Sequence, residues 1–195
     1  MKATLTDQQL IEFSGEHLLH ELSMFWELAE ILPRHKERNA EYVALIESFA
    51  THLRNLIEFL FFQKNADYVR AKHFFEDPGA WSPNLTADFR RLLDRANNEV
   101  SHLTVGRVNG NPPEKFWPTD EILKQIEPVA KEFAAKASEK KLHSKVREFL
   151  HLPREATRAW IASNVAHTNV ASHAVTASFA NASTATRIIT ELHLK

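Results

Sequence analysis

The chain has 195 residues, 44% of them hydrophobic and 25% charged, with a formal net charge of −1 and no cysteine. That length supports one domain with a proper core, or one domain plus an appendage. The balanced charge gives no global positive field for nucleic acid, and the missing thiols exclude disulfides and thiolate metal sites. No apolar run approaches the ~20 residues of a membrane span, the opening MKATLTDQQL has no signal-peptide core, and there are only four glycines. The expectation is a helical cytoplasmic protein with no membrane partner.

Residues 6–32 read as a first helix. Thr6 and Gln9 have capping-box spacing, Ile11, Leu18, Leu22, Trp26 and Ala29 recur on one stripe, and Pro33 ends it. Away from that stripe, Phe13, His17, His20 and Met24 form a second one, read as a contact face toward a second subunit or another helix of the same chain. His17 and His20, with Glu16 and Glu21, have spacings a metal could use. No other helix offers a matching pair and HExxH is absent, so no metal and no cofactor is expected.

A second helix is predicted from Asn39 to about residue 63, with Leu45, Ile46, Phe49, Leu53, Leu56, Ile57 and Leu60 inward. His52 on its flank reads as half-buried and bonded to a carbonyl, with a supporting role at a functional cleft left open. Arg54 and Glu58 read as a surface ion pair. Residues 66–77, ADYVRAKHFFED, are expected to add two or three helical turns.

Pro78-Gly79 marks a turn, and Ser82-Pro83 reads as the entry to a helix over 83–105. Its buried side would be Leu85, Phe89, Leu92, Leu93, Ala96, Val100 and Leu103. After a loop over 106–118, Thr119 reads as the N-cap of a helix reaching residue 138, with Ile122, Ile126, Val129 and Phe133 inward. Trp81 and Trp117, in proline-bearing loops, are expected to cap the bundle ends. One more helix over 139–152 would stop before Pro153, and an Ala/Ser/Thr-rich run follows. The chain thus divides into a helical bundle over 1–150 and a tail over 151–195 with no assigned role.

The stretch DRANNEVSHLTVGR, residues 94–107, carries the chemistry. At ~100° per residue, Arg95 lies about 40° to one side of Arg91, His102 about 20° to the same side and Asn98 about 20° to the other, whereas the apolar stripe centres near 140°. A guanidinium, an amide and an imidazole share a face the core does not use. Arg95 and His102, about 10.5 Å apart along the axis, can converge on an elongated anion such as a phosphodiester.

Arg95-Ala-Asn-Asn-Glu-Val-Ser-His102 resembles the Arg-x(4–6)-His signature of the HEPN superfamily. ESFATHLRNLIEFLFF, DYVRAKHFFEDPGAW, NNEVSHLT and KFWPTDEI resemble stretches of bacterial helical proteins related to abortive-infection systems. The likeness covers about residues 16–133. It implies an all-α, up-and-down bundle of four to five helices with a C-terminal appendage, paired as a homodimer whose two motifs line one cleft. It also implies a ribonuclease of defence or toxin–antitoxin type, with RNA, a second copy and an antitoxin protein as partners. In that chemistry the ribose 2′-hydroxyl attacks the adjacent phosphate without a metal. His102 moves the proton, Arg95 holds the charge developing on the phosphorane, and Asn98 orients the imidazole or holds a phosphate oxygen. Arg91, Asn97, His52 and Arg107 would support RNA binding, with Lys64, Arg70, Lys72 and Arg90 completing a basic rim. Ala96 stands where many catalytic members carry a polar residue, and six intervening residues are at the long end of the family range. The alternative is a non-catalytic HEPN-like module that binds RNA or protein.

Overall fold

Thr6 opens the first helix as expected. Its hydroxyl accepts the Gln9 N–H at 3.2 Å while the Gln9 amide oxygen accepts the Thr6 N–H at 2.9 Å, which satisfies two orphan donors at once. The computed structural model describes residues 5–37, 39–62, 68–98 and 117–164. Among these residues every regular element is helical, an all-α bundle. Residues Met1–Thr157 form one compact unit, and the chain from Arg158 to Lys195 a second. Residues 165–195, most of the expected tail, lie outside the described residues.

The first helix is not uniform. Helix α1, Asp7–Phe13, passes into a π-helical segment, Ser14–Leu18, and then into α2, Leu19–Ile31. Leu18, Leu22, Trp26 and Ala29 are buried as expected, but Leu10 is buried and Ile11 only partly so. The cause is a slip of phase. Stepping back ~3.6 residues at a time from Leu18 and Leu22 lands on Ile11 and Gly15. The wider π turn absorbs one extra residue, so the buried positions fall on Leu10 and Ser14 instead. Ser14 is fully enclosed, yet its hydroxyl donates to the Ile11 carbonyl and accepts the His143 N–H, each at 3.0 Å.

Asn39 caps helix α3, Ala40–Phe61, through its side-chain oxygen and the Tyr42 N–H at 3.0 Å. The first turns of α3 are only half-buried at Leu45 and Ile46, and the core side begins at Phe49. Phe25 of α2 stacks on Phe49 with centroids 5.1 Å apart. The expected helix over 66–77 is instead a single 3-10 turn, Ala71–Phe74, within the described part. Phe74 and the adjacent Phe75 both enter the core.

Helix α4, Ala87–Ala96, starts at Thr86, whose hydroxyl accepts the Phe89 N–H at 3.3 Å. Ser82 is not the cap. Trp81, directly before it, is buried and donates its indole N–H to the Leu60 carbonyl at 2.8 Å, so the chain leaves that anchor extended. Leu60 lies in the last turn of α3, where carbonyls lack helical partners. Val100 and Leu103, expected on the buried side of this helix, lie outside the described residues.

Helix α5, Thr119–Lys136, begins after Pro118; Thr119 is its first residue and not its cap. Its hydroxyl donates to the Ala29 carbonyl at 3.0 Å. That carbonyl would normally receive the N–H four residues on, but the residue there is Pro33, which has none. Trp81 and Trp117 are both buried, Trp81 against the last turn of α3 and Trp117 just before α5. Trp81 stacks on Phe75 and meets Phe133 edge-on at 5.8 Å, and Phe59 and Phe74 also contact Phe133. These are large apolar surfaces removed from water.

Helix α6, Ser144–His151, is the expected additional helix, and Trp26 packs edge-on against its Phe149. Arg147 of α6 donates to the Ala134 and Ala137 carbonyls, closing the C-terminus of α5. Pro153 ends α6 and directly precedes a further helix, α7, Arg154–Asn164.

Candidate functional site

The C-terminal end of α4 carries the described half of the Arg…His motif. Phe89, Leu93 and Ala96 face the core, so Arg91, Arg95 and Asn98 fall on the other side. Arg91 is exposed and pairs with Asp88 one turn earlier at 2.8 Å, a solvated pair of small energetic weight. Arg95 is half-exposed, and its guanidinium carbon lies 4.1 Å from the centre of the Trp117 ring. The indole is buried and meets Phe49 edge-on. The cation therefore rests over an aromatic that is itself fixed in the core.

Ala96 is 1% exposed, within the core. Asn97 is half-buried, and its side-chain oxygen is enclosed with no hydrogen-bond partner. Asn98 is exposed. His102 and Arg107 lie outside the described residues, as does Lys64 of the basic rim. A cleft of about 200 Å³ adjoins the Trp117 indole, lined by Leu32, Pro33, Tyr42 and Ile46 and edged by Asp120 and Glu121.

A second polar group gathers between the first helix and α3. His52 is bonded to a carboxylate and not to a carbonyl: its Nδ1–H donates to Glu21 Oε2 at 2.8 Å, and its side chain is 12% exposed. Asn55 Nδ2 donates to the same oxygen at 3.1 Å. His20 meets the His52 ring edge-on at 5.5 Å. Burial pushes the Glu21 carboxyl up, but the His52 hydrogen bond and charge, Asn55 and His20 together hold it below its ordinary value. Arg54 Nε donates to Glu58 Oε1 at 3.1 Å as the spacing predicts, and Arg70 reaches Glu58 Oε2 from another segment at 3.7 Å.

Among these groups lies a cavity of about 360 Å³ whose lining includes Phe13, His17, Glu21, Asn55, Glu58 and Arg70. The second stripe of the first helix thus faces a cavity at Phe13 and His17, while His20 and Met24 do not line it. Among the described residues no group of three or more His, Asp and Glu side chains is arranged to hold a metal ion, and no helix is long and apolar enough to cross a membrane.

Sequence reasoning placed Arg54 beside Glu58 and marked Glu21 only as a metal candidate. It assigned Arg70 to a basic rim beside the Arg…His motif, whereas the residue is buried. The signal for the Glu21–His52 bond is absent from local spacing, because the partners are 31 residues apart. The chain matches no protein-family model, no curated protein and no solved structure.

Proposed function

We propose that the protein is an RNA-directed helical protein of HEPN type that cleaves the phosphodiester backbone without a metal, from a cleft shared by two copies. The observation that carries this reading is the half-exposed Arg95 guanidinium, oriented on the buried Trp117 indole on the same side of α4 as the exposed Asn98. A preoriented planar fork is suited to the charge that develops on a pentacoordinate phosphorus. His102, seven residues on in the sequence, supplies the proton transfers in this reading, since an imidazole near its ordinary pKa serves as both acid and base. The cleft beside Trp117 gives a flanking base an apolar wall.

The test is incubation of the purified full chain with end-labelled single-stranded RNA in EDTA. Cleavage should leave a 2′,3′-cyclic phosphate, and His102→Ala and Arg95→Gln should each lower it at least a hundredfold with unchanged thermal unfolding. Sedimentation should give a dimer. Cleavage that survives His102→Ala, or that needs added metal, removes the mechanism.

The second reading, an RNA- or protein-binding module without chemistry, rests on Ala96. The position after the arginine points into the core, where a polar side chain would need a buried partner. Retention of RNA without cleavage by the wild-type chain, weakened by Arg95→Gln, would establish that reading instead.

A further inference from the structure

We infer that the cavity between the π segment and the second half of α3 binds a small zwitterion with an apolar body, of the free α-amino acid class. Arg70 receives its carboxylate and Glu21 its ammonium. This site is independent of the Arg95 motif.

At about 360 Å³ the cavity is at the small end of the roughly 300–1,000 Å³ of small-molecule pockets. Leu18, Leu56 and Phe59, all buried, form its apolar wall. The Phe13 and His17 rings, 5.3 Å apart, lie on one side of it, and the exposed Tyr68 on another.

Arg70 gives the first reason to place a ligand there. Its side chain is only 7% exposed, and its Nε is enclosed with no hydrogen-bond partner. Its acidic neighbour Glu58 stands at 3.7 Å, too far for a hydrogen bond, and already accepts from Arg54. The guanidinium rests 4.7 Å from the centre of the Tyr68 ring. The guanidinium, with one carboxylate oxygen at ion-pair distance, keeps donors to spare, and a planar carboxylate is the acceptor that matches its fork.

Glu21 gives the second reason. The hydrogen bonds from His52 and Asn55 both end on Oε2, so Oε1 is left to receive a donor. The charges then select the ligand. A phosphate dianion would be opposed by Glu21 and Glu58. A bare cation would be repelled by Arg70, and a neutral hydrocarbon would use neither polar end. A molecule with one carboxylate, one ammonium and an apolar side chain satisfies all three surfaces.

The experiment is titration calorimetry of the full chain at pH 7.5 with L-phenylalanine and L-leucine as probes. The comparison ligands are 3-phenylpropionate, which lacks the ammonium, L-phenylalaninamide, which lacks the carboxylate, and inorganic phosphate. One-site binding of at least one amino acid is expected, and each deletion analogue should bind at least tenfold more weakly than L-phenylalanine. Glu21→Gln should weaken L-phenylalanine at least tenfold while leaving 3-phenylpropionate within twofold. Arg70→Met should weaken L-phenylalanine and leave L-phenylalaninamide within twofold. If Arg70→Met does not fold, the wild-type analogue series and Glu21→Gln decide the matter. Absence of binding by either amino acid, tighter binding of phosphate, or an equal effect of Glu21→Gln on both phenyl ligands overturns the assignment.

Discussion

The guanidinium of Arg95 lies 4.1 Å from the centre of the Trp117 indole, so a half-exposed cation is positioned by a core aromatic 22 residues further along the sequence. The two residues should therefore be coupled in stability. Trp117→Ala should lower unfolding free energy by about 3–5 kcal/mol, the usual range for emptying a buried tryptophan site. Arg95→Gln should cost about 1 kcal/mol. Chemical denaturation of both single variants and the double variant should return a coupling of roughly 0.5–1 kcal/mol. Strict additivity would mean that the stacking does not hold Arg95 in solution.

Glu21 predicts a pH dependence with a definite sign. Its carboxyl is held below the ordinary value of 4.5: burial opposes ionisation, but His52, Asn55 and His20 more than offset it. A group depressed on folding contributes stability that is fully present above its unfolded pKa and is lost as pH falls through the folded one. Unfolding free energy should accordingly decline as pH drops below about 4.5, with a shallower decline in Glu21→Gln. Urea denaturation at a series of pH values measures both slopes, and parallel curves would contradict the arrangement.

Gly15→Ala sets two effects against each other. In an ordinary helix the change stabilises by roughly 0.5–1 kcal/mol. Here the new Cβ would stand 2.6 Å from Cδ2 and 2.9 Å from Cγ of His143. That ring is anchored, because its Nδ1 accepts the Lys145 N–H at the start of α6. The clash should win, with a net loss of about 1–3 kcal/mol. His143→Ala in the Gly15→Ala background should recover part of that loss in thermal melts.

Thr119→Val keeps the shape of a buried side chain and deletes its hydroxyl. The Ala29 carbonyl, already without a helical donor because of Pro33, then has no replacement for the 3.0 Å bond. A loss of about 1–3 kcal/mol is expected from the stranded acceptor. Thr119→Ser, which retains the hydroxyl, should lose less in the same denaturation assay.

How far the sequence could be read depended on the range of each interaction. Capping at Thr6, the start of α3 at Asn39 and the stripes of α2 and, apart from the half-buried Val129, of α5 depend on neighbours within a turn or two, and these were legible. The choice of Thr86 over Ser82 was not, because it follows from the anchoring of Trp81 by a carbonyl 21 residues earlier. The depth to which Trp81 and Trp117 are buried was not legible either, because it depends on a phenylalanine cluster from three segments for one and on Phe49 for the other. For the candidate site, helical geometry put Arg95 and Asn98 on one face, and their place in a site came from the resemblance of the motif. The buried state of Arg70 and the carboxylate on His52 depend on chain segments brought together by the fold, which no periodicity records.

The π turn at Ser14–Leu18 has a consequence for how this protein can change over time. A helix that houses one surplus residue has a place where the chain can be shortened without turning a polar side inward. Removing one residue there would close the wide turn to an ordinary α-turn and leave the first two turns in their present phase, with Leu10 still on the buried side. Were Ser14 the residue removed, the hydroxyl that ties the start of α6 to this spot would be lost. The segment therefore acts as a reserve of length whose retention is explained by its bond to a distant helix rather than by the core it faces.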